Sequence, residues 1–216
     1  MTAGTYSAPL AREPQQERSR QTRERLLRST IQVLADEGWM AATVAVVAQR
    51  AGVSRGAAQH HFPTREALVT ATLEQIFTDL TRRADALGEL PDDPSNRIRV
   101  AVDQAVAIYT GTEFKAALQV WAAAASDSGL RTKILPMEEK FARAAHRVTV
   151  ATIDPHGTNP NSRRVAQLTL DLARGLGLAD TLSDDSRRRA KVVDTWVEMI
   201  TDSFGESQPT ESHPAE

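Results

Sequence analysis

The sequence predicts an all-α chain, and three observations carry that reading. Apolar residues recur at helical spacing along most of its length, while no segment sustains a period-two alternation. Hydrophobic residues make up 41% of the 216 and aromatics only 5%, so the core must rest on Leu, Val, Ile and Ala. Of these, Ala and Leu favour helix over strand. The strongest breakers, LPDDPSN (90–96) and DPHGTNPN (154–161), separate amphipathic stretches.

The elements follow in order. Residues 1–15, rich in Pro, Gln, Thr and Ser, read as a disordered arm. A helix is expected over 17–37, with Leu26, Leu27, Thr30, Ile31 and Leu34 as its stripe and Gly38 to end it. Trp39 and Met40 are expected to pack back onto the core of a small domain. Thr43 is a natural N-cap for a helix over 44–51, with Val44, Val47 and Ala48 inward. Gly52 supplies a turn at positive φ, Val53 points to the core, and Ser54 caps a helix over 55–61 that Phe62-Pro63 closes. Thr64 caps a longer helix over 65–88, whose apolar face runs through Leu68, Leu73, Ile76, Phe77 and Leu80. Helices are then expected over 97–110, 113–126, 130–152, 162–177 and 184–203, with Gly175-Leu-Gly177 as the C-cap of the fourth of these. Residues 205–216 read as a polar tail.

Composition narrows the class. The absence of cysteine excludes disulfides, thiolate zinc sites and a cysteine nucleophile. No apolar run approaches the ~20 residues of a membrane helix, and the N-terminus has no apolar signal-peptide core, so a cytoplasmic, nucleoid-associated protein is expected. The net charge of −2 is unevenly spread: residues 16–68 hold eight Arg against five acids. A basic head on an acidic body suits a polyanion partner for the head.

The stretch Thr43–Phe62, TVAVVAQRAGVSRGAAQHHF, has the layout of two short helices and a tight turn. A helix that enters a DNA major groove about 12 Å wide needs a small or polar outer face. Arg55, Gly56, Ala57, Gln59 and His60 offer one, while Ala58 and Phe62 anchor the buried side. Thr43 and Ser54 stand at helix N-termini, where hydroxyl and backbone N–H groups bind phosphate together. Arg50 and Arg65 flank the unit. On spacing alone, an ordinary helical hairpin with a solvated polar face is the alternative. The Arg18–Arg28 cluster reads either as an arm reaching DNA, with Arg20 and Arg23 as its contacts, or as a solvated helix start. His60 and His61 point about 100° apart on a helix and chelate poorly, so no metal is expected. No local Ser/His/Asp constellation suggests an enzyme.

The run GWMAATVAVVAQRAGVSRGAAQHHFPTREAL (38–68) resembles the DNA-binding region of the TetR family of transcriptional regulators. Gly38, Trp39, Thr43, Val44, Val47, Ala48, Ala51 to Ser54, Gly56, His61, Phe62, Thr64, Arg65, Glu66 and Leu68 carry the likeness. It implies that Thr43, Ser54 and His61 contact phosphate, and that Arg65 does so in place of the usual Lys. It also implies that Arg55, Ala57 and His60 tune base choice. Gln59 departs from the pattern, standing where the family usually has Tyr; it can meet phosphate or reach adenine.

The same resemblance implies a three-helix DNA-binding domain over 16–64 and a helical regulatory and dimerisation domain over 65–204. A small-molecule effector, and no other cofactor, is expected between the central helices, near Tyr109, Phe114, Trp121, Met137, Phe141 and His146. A homodimer is expected through the last two helices, with Leu168, Leu172, Leu176, Val193, Trp196, Val197 and Ile200 at the interface or in the core behind it. The expected function is a ligand-released repressor of a palindromic operator in double-stranded DNA. An activator or a ligand-independent regulator of the same fold is the alternative.

Overall fold

Helical periodicity resolves into nine α-helices and no strand among the described residues, 12–85 and 90–205 of this computed structural model. Most of the expected arm and tail, and residues 86–88 of the fourth expected helix, lie outside those residues.

The first helix, α1 (Arg12–Ala41), begins five residues ahead of the expected start and includes the part of the expected arm from residue 12 onward. Charged side chains at helical spacing account for this: Glu17 accepts from Arg20 at 2.7 Å and from Gln21 at 2.8 Å, and Arg20 also pairs with Glu24. The arginine cluster is therefore helical, not an extended arm. The helix breaks at Gly38, whose φ of 81° and ψ of −179° are non-helical. Trp39 then packs against the core, but Met40 is 79% exposed, against expectation. The break points successive side chains in different directions, so that Trp39 turns inward and Met40 outward.

Helices α2 (Val44–Ala51) and α3 (Arg55–His61) match the expected bounds, because their signals are local. Gly52, at φ 61°, turns its N–H back to the carbonyls of Ala48 and Gln49, a left-handed helix end. The long α4 (Arg65–Asp85) starts at Thr64, whose hydroxyl accepts from the Ala67 N–H at 3.0 Å. In the body, α5 (Pro94–Tyr109) opens on Asp93 as N-cap and Pro94 at its first position, so the preceding loop is shorter than expected. Then come α6 (Thr112–Ser126), α7 (Ser128–Ile153), α8 (Ser162–Asp180) and α9 (Ser186–Gly205).

A continuous apolar core joins head and body. Leu27, Leu34, Val47, Ala58, Phe62, Leu68 and Leu73 merge with Ala116, Ala117, Val120 and Phe141. A second cluster, around Ile98, Val102, Leu176, Val193 and Ile200, holds α5 against α8 and α9. Among the described residues no helix is long and apolar enough to cross a membrane.

Gly175-Leu-Gly177 is not a C-cap, since α8 runs on to Asp180. Gly177 is instead a crossing point: a Cβ there would lie 1.8 Å from the Tyr109 carbonyl oxygen and 3.0 Å from Phe114. Arg174, one turn earlier, donates to the Tyr109 hydroxyl at 3.0 Å. A Cβ on Gly175 would meet nothing within 4 Å. Gly177→Ala should therefore destabilise the chain by about 2 kcal/mol or more through overpacking, while Gly175→Ala should be neutral or stabilising by up to about 1 kcal/mol. Thermal denaturation of the two variants separates a crossing from a cap, which would tolerate neither position in this order.

Candidate nucleic-acid interface

The head is built from local signals. Thr43 Oγ1 accepts from the Val46 N–H and Ser54 Oγ from the Ala57 N–H, each at 3.2 Å. A hydroxyl also carries one donor hydrogen, which these contacts leave for an outside acceptor. On α3, Ala58 and Phe62 are buried, and Arg55, Gly56, Gln59 and His60 are exposed. At 100° per residue those four span an arc of about 140°. Ala57 is half-buried at its margin. A Cβ on Gly56 would meet nothing within 4 Å, so the chain's own packing does not demand a glycine there. The face is small, polar and unobstructed, as a groove-entering helix requires.

His61 sits half-buried behind this face, its ring 5.8 Å from that of His60 in an edge contact. Burial pushes its pKa down, and the neighbouring His60 and Arg23 push the same way. Arg23, from α1, lies over the Phe62 ring at 5.6 Å. It thus borders the end of α3, whereas Arg20 is held along α1 by Glu17 and Glu24.

The two flanking arginines are engaged within the chain. Arg50 pairs with Glu37, with Asp36 at 3.6 Å. Arg65 stacks over the Trp39 ring at 3.9 Å and donates to the Trp39 carbonyl. Its Nε is buried without a partner, and burial lowers its pKa. Arg25 emerges as a residue that sequence reasoning missed. Its guanidinium donates to the carbonyls of Ala51 and, at 3.1 Å, Gly52, bracing the turn between α2 and α3. A charged donor at a helix C-terminus is favourable, but its partner lies 26 residues away and no local pattern signals it.

In the body, Tyr109, Phe114, Trp121 and Phe141 border a small gap of about 10 Å³. Met137 and Phe141 line an open cleft of about 750 Å³ between α4 and α7. His146 lines neither; its Nε2 is 3.0 Å from the Arg163 carbonyl oxygen. Of the expected interface residues, Leu176, Val193 and Ile200 are buried inside the chain, Leu172, Trp196 and Val197 are half-buried, and Leu168 is 49% exposed. Trp196 Nε1 donates to Thr169 at 3.0 Å, joining α9 to α8. Leu178, Leu182 and Met199 add exposed apolar surface on and beside the same two helices.

Comparison with known proteins agrees with this architecture. The family model for bacterial regulatory proteins, tetR family, matches residues 26–72. The HTH-type transcriptional regulator CymR of Pseudomonas putida is 28% identical over 196 residues, covering 89% of this chain and 96% of its own. The HTH-type transcriptional regulator BetI of Stenotrophomonas maltophilia is 31% identical over 168 residues, covering 74% and 81% respectively. A transcriptional regulator from Rhodococcus sp. Rha1 superposes with a TM-score of 0.67 at 26% identity, over 84% of this chain and 96% of that one.

The lowered pKa of His61 has a measurable consequence. An unfolded chain binds this proton near the ordinary value of about 6.5 and the folded chain binds it less tightly. The contribution is therefore full above that value and is lost as pH falls through it. His61→Gln should lose less stability than the wild type between about pH 7.5 and 5, read from denaturant midpoints. Parallel curves for the two proteins would refute the assignment.

Proposed function

The chain belongs to the TetR family of helix-turn-helix transcriptional regulators, DNA-binding proteins and not enzymes, and from that premise we propose that it is a ligand-released repressor binding a palindromic operator as a homodimer in the cytoplasm. The observation that carries the DNA reading is the α3 face, where Arg55, Gly56, Gln59 and His60 are exposed over a buried Ala58 and Phe62. Two such helices in a two-fold dimer would enter successive major grooves about 34–36 Å apart. Thr43, Ser54 and His61 would hold phosphates, and Arg55, Gln59 and His60 would meet base edges. Arg50 and Arg65 would reach phosphate only by giving up or sharing their contacts with Glu37 and Trp39.

The dimer reading is supported by the apolar residues that α8 and α9 leave outside the core. Leu168, Leu178 and Met199 are 49%, 55% and 58% exposed, and Leu182 just beyond α8 is 92% exposed. Half-buried Leu172, Trp196 and Val197 extend that surface. Two-fold pairing of this face would make an isologous four-helix interface.

Selection of bound duplexes from a random pool tests the central claim, since an inverted repeat with one-turn half-site spacing is the expected product. His61→Gln should weaken all duplexes alike, because phosphate contacts position without specifying. Arg55→Ala or Gln59→Ala should shift preference at particular base pairs by about 1–3 kcal/mol. A preferred site unchanged in both variants would overturn their role in readout. For the dimer, Leu168→Glu should yield a folded monomer by sedimentation; an unaltered dimer would place the interface elsewhere.

A further inference from the structure

We propose that the cleft between α4 and α7 is the effector site, and that it selects a small amphipathic organic anion, an aryl or alkyl carboxylate. The proposal rests on the ligand-responsive reading above and names its ligand class. Its floor is apolar: Phe77 of α4 stacks on Phe141 of α7, ring centroids 4.8 Å apart and planes 13° apart, with Met137 and Ala144 beside them. Its rim is cationic. Arg82, Lys140, Arg143 and Arg147 line the cleft against a single acid, Glu74.

Two of these cations are compensated within the chain, Arg82 by Asp79 at 2.8 Å and Arg143 by Glu139 at 3.5 Å. Among the described residues Lys140 and Arg147 have no ion pair. Lys140, Arg143 and Arg147 fall within about 60° of one another around α7. Like charges so placed repel and weaken the helix that carries them. The arrangement gains most when an outside anion occupies the rim. A cationic ligand would meet the same excess charge as repulsion.

The cleft's volume of about 750 Å³ falls within the range of small-molecule sites, and its pairing of an apolar floor with a few polar groups is their usual chemistry. On the other side of the Phe77–Phe141 stack lies a small gap of about 10 Å³, lined also by Ile108, Phe114, Ala117 and Trp121. That gap is at the lower limit for a single water, and Trp121 Nε1 is buried without a partner. The stacked pair thus partitions an open cationic cleft from an aromatic interior. The carboxylate would pair with Lys140 and Arg147, and the apolar body would lie on Phe77, Phe141 and Met137.

Calorimetry on the full chain without DNA tests this directly. The probes are phenylacetate, 4-phenylbutyrate, octanoate and decanoate, each against its neutral alcohol and its trimethylammonium counterpart. At least one carboxylate should bind below about 1 mM and more tightly than both counterparts. Lys140→Gln/Arg147→Gln should weaken that carboxylate roughly tenfold or more, while leaving the alcohol's binding unchanged and not lowering the thermal midpoint. No carboxylate bound in that range, preference for the alcohol or the cation, or an unaffected double variant would each overturn the proposal. Operator release is measured separately with the same carboxylate. Binding without release would leave the site standing and refute the repressor mechanism.

Discussion

The joint at Gly38 and Trp39 is the constraint on which the rest of the architecture depends. A φ of 81° at Gly38 breaks α1, and only glycine adopts that conformation without strain. The break delivers three groups of one residue to two other helices. The Trp39 ring and carbonyl receive Arg65 at the start of α4, and the Trp39 N–H faces Gln119 Oε1 of α6 at 3.4 Å. A Cβ on Gly38 would itself crowd that Gln119 oxygen at 3.3 Å. Head, connecting helix and body therefore meet at one backbone turn. The half-buried Arg65 guanidinium is stabilised there by the indole face and the carbonyl together, a geometry that a lysine's point charge would reproduce poorly.

What was legible in the sequence follows the range of the interaction. The caps at Thr43, Ser54 and Thr64 and the positive φ of Gly52 are decided within four residues, and α2 and α3 came out with the expected bounds. Gly177 was misread because a glycine that ends a helix and one that lets two helices touch look identical in one dimension. Only Tyr109, 68 positions earlier, distinguishes them. The roles of Arg25, Arg50 and Arg65 were hidden for the same reason, since their partners lie between 13 and 27 residues away. In the body, the expected lining residues Tyr109, Phe114 and Trp121 border the small gap, whereas Met137 and Phe141 line the open cleft. The cations of the open cleft, Lys140, Arg143 and Arg147, carry no mark in the sequence, because spacing alone does not separate such a pattern from a solvated face.

The position of α4 gives the cleft a route to the head. Arg65 and Phe77 stand twelve residues apart on a single helix, about 18 Å along its axis. Between them Leu68, Val69, Thr72 and Leu73 are fully packed. Tight packing transmits a displacement without absorbing it. A ligand that parts α4 from α7 near Phe77 must then be accommodated elsewhere on α4. The exposed Glu66–Lys133 pair, at 2.6 Å, ties the start of α4 to α7. An exposed ion pair is worth only about 0–1 kcal/mol, so it yields easily. The Arg65–Trp39 contact, half-buried and charged, yields less readily. On that ordering α4 would slip against α7 and carry Trp39, and with it the end of α1 and the base of the reading head, rather than separate from them.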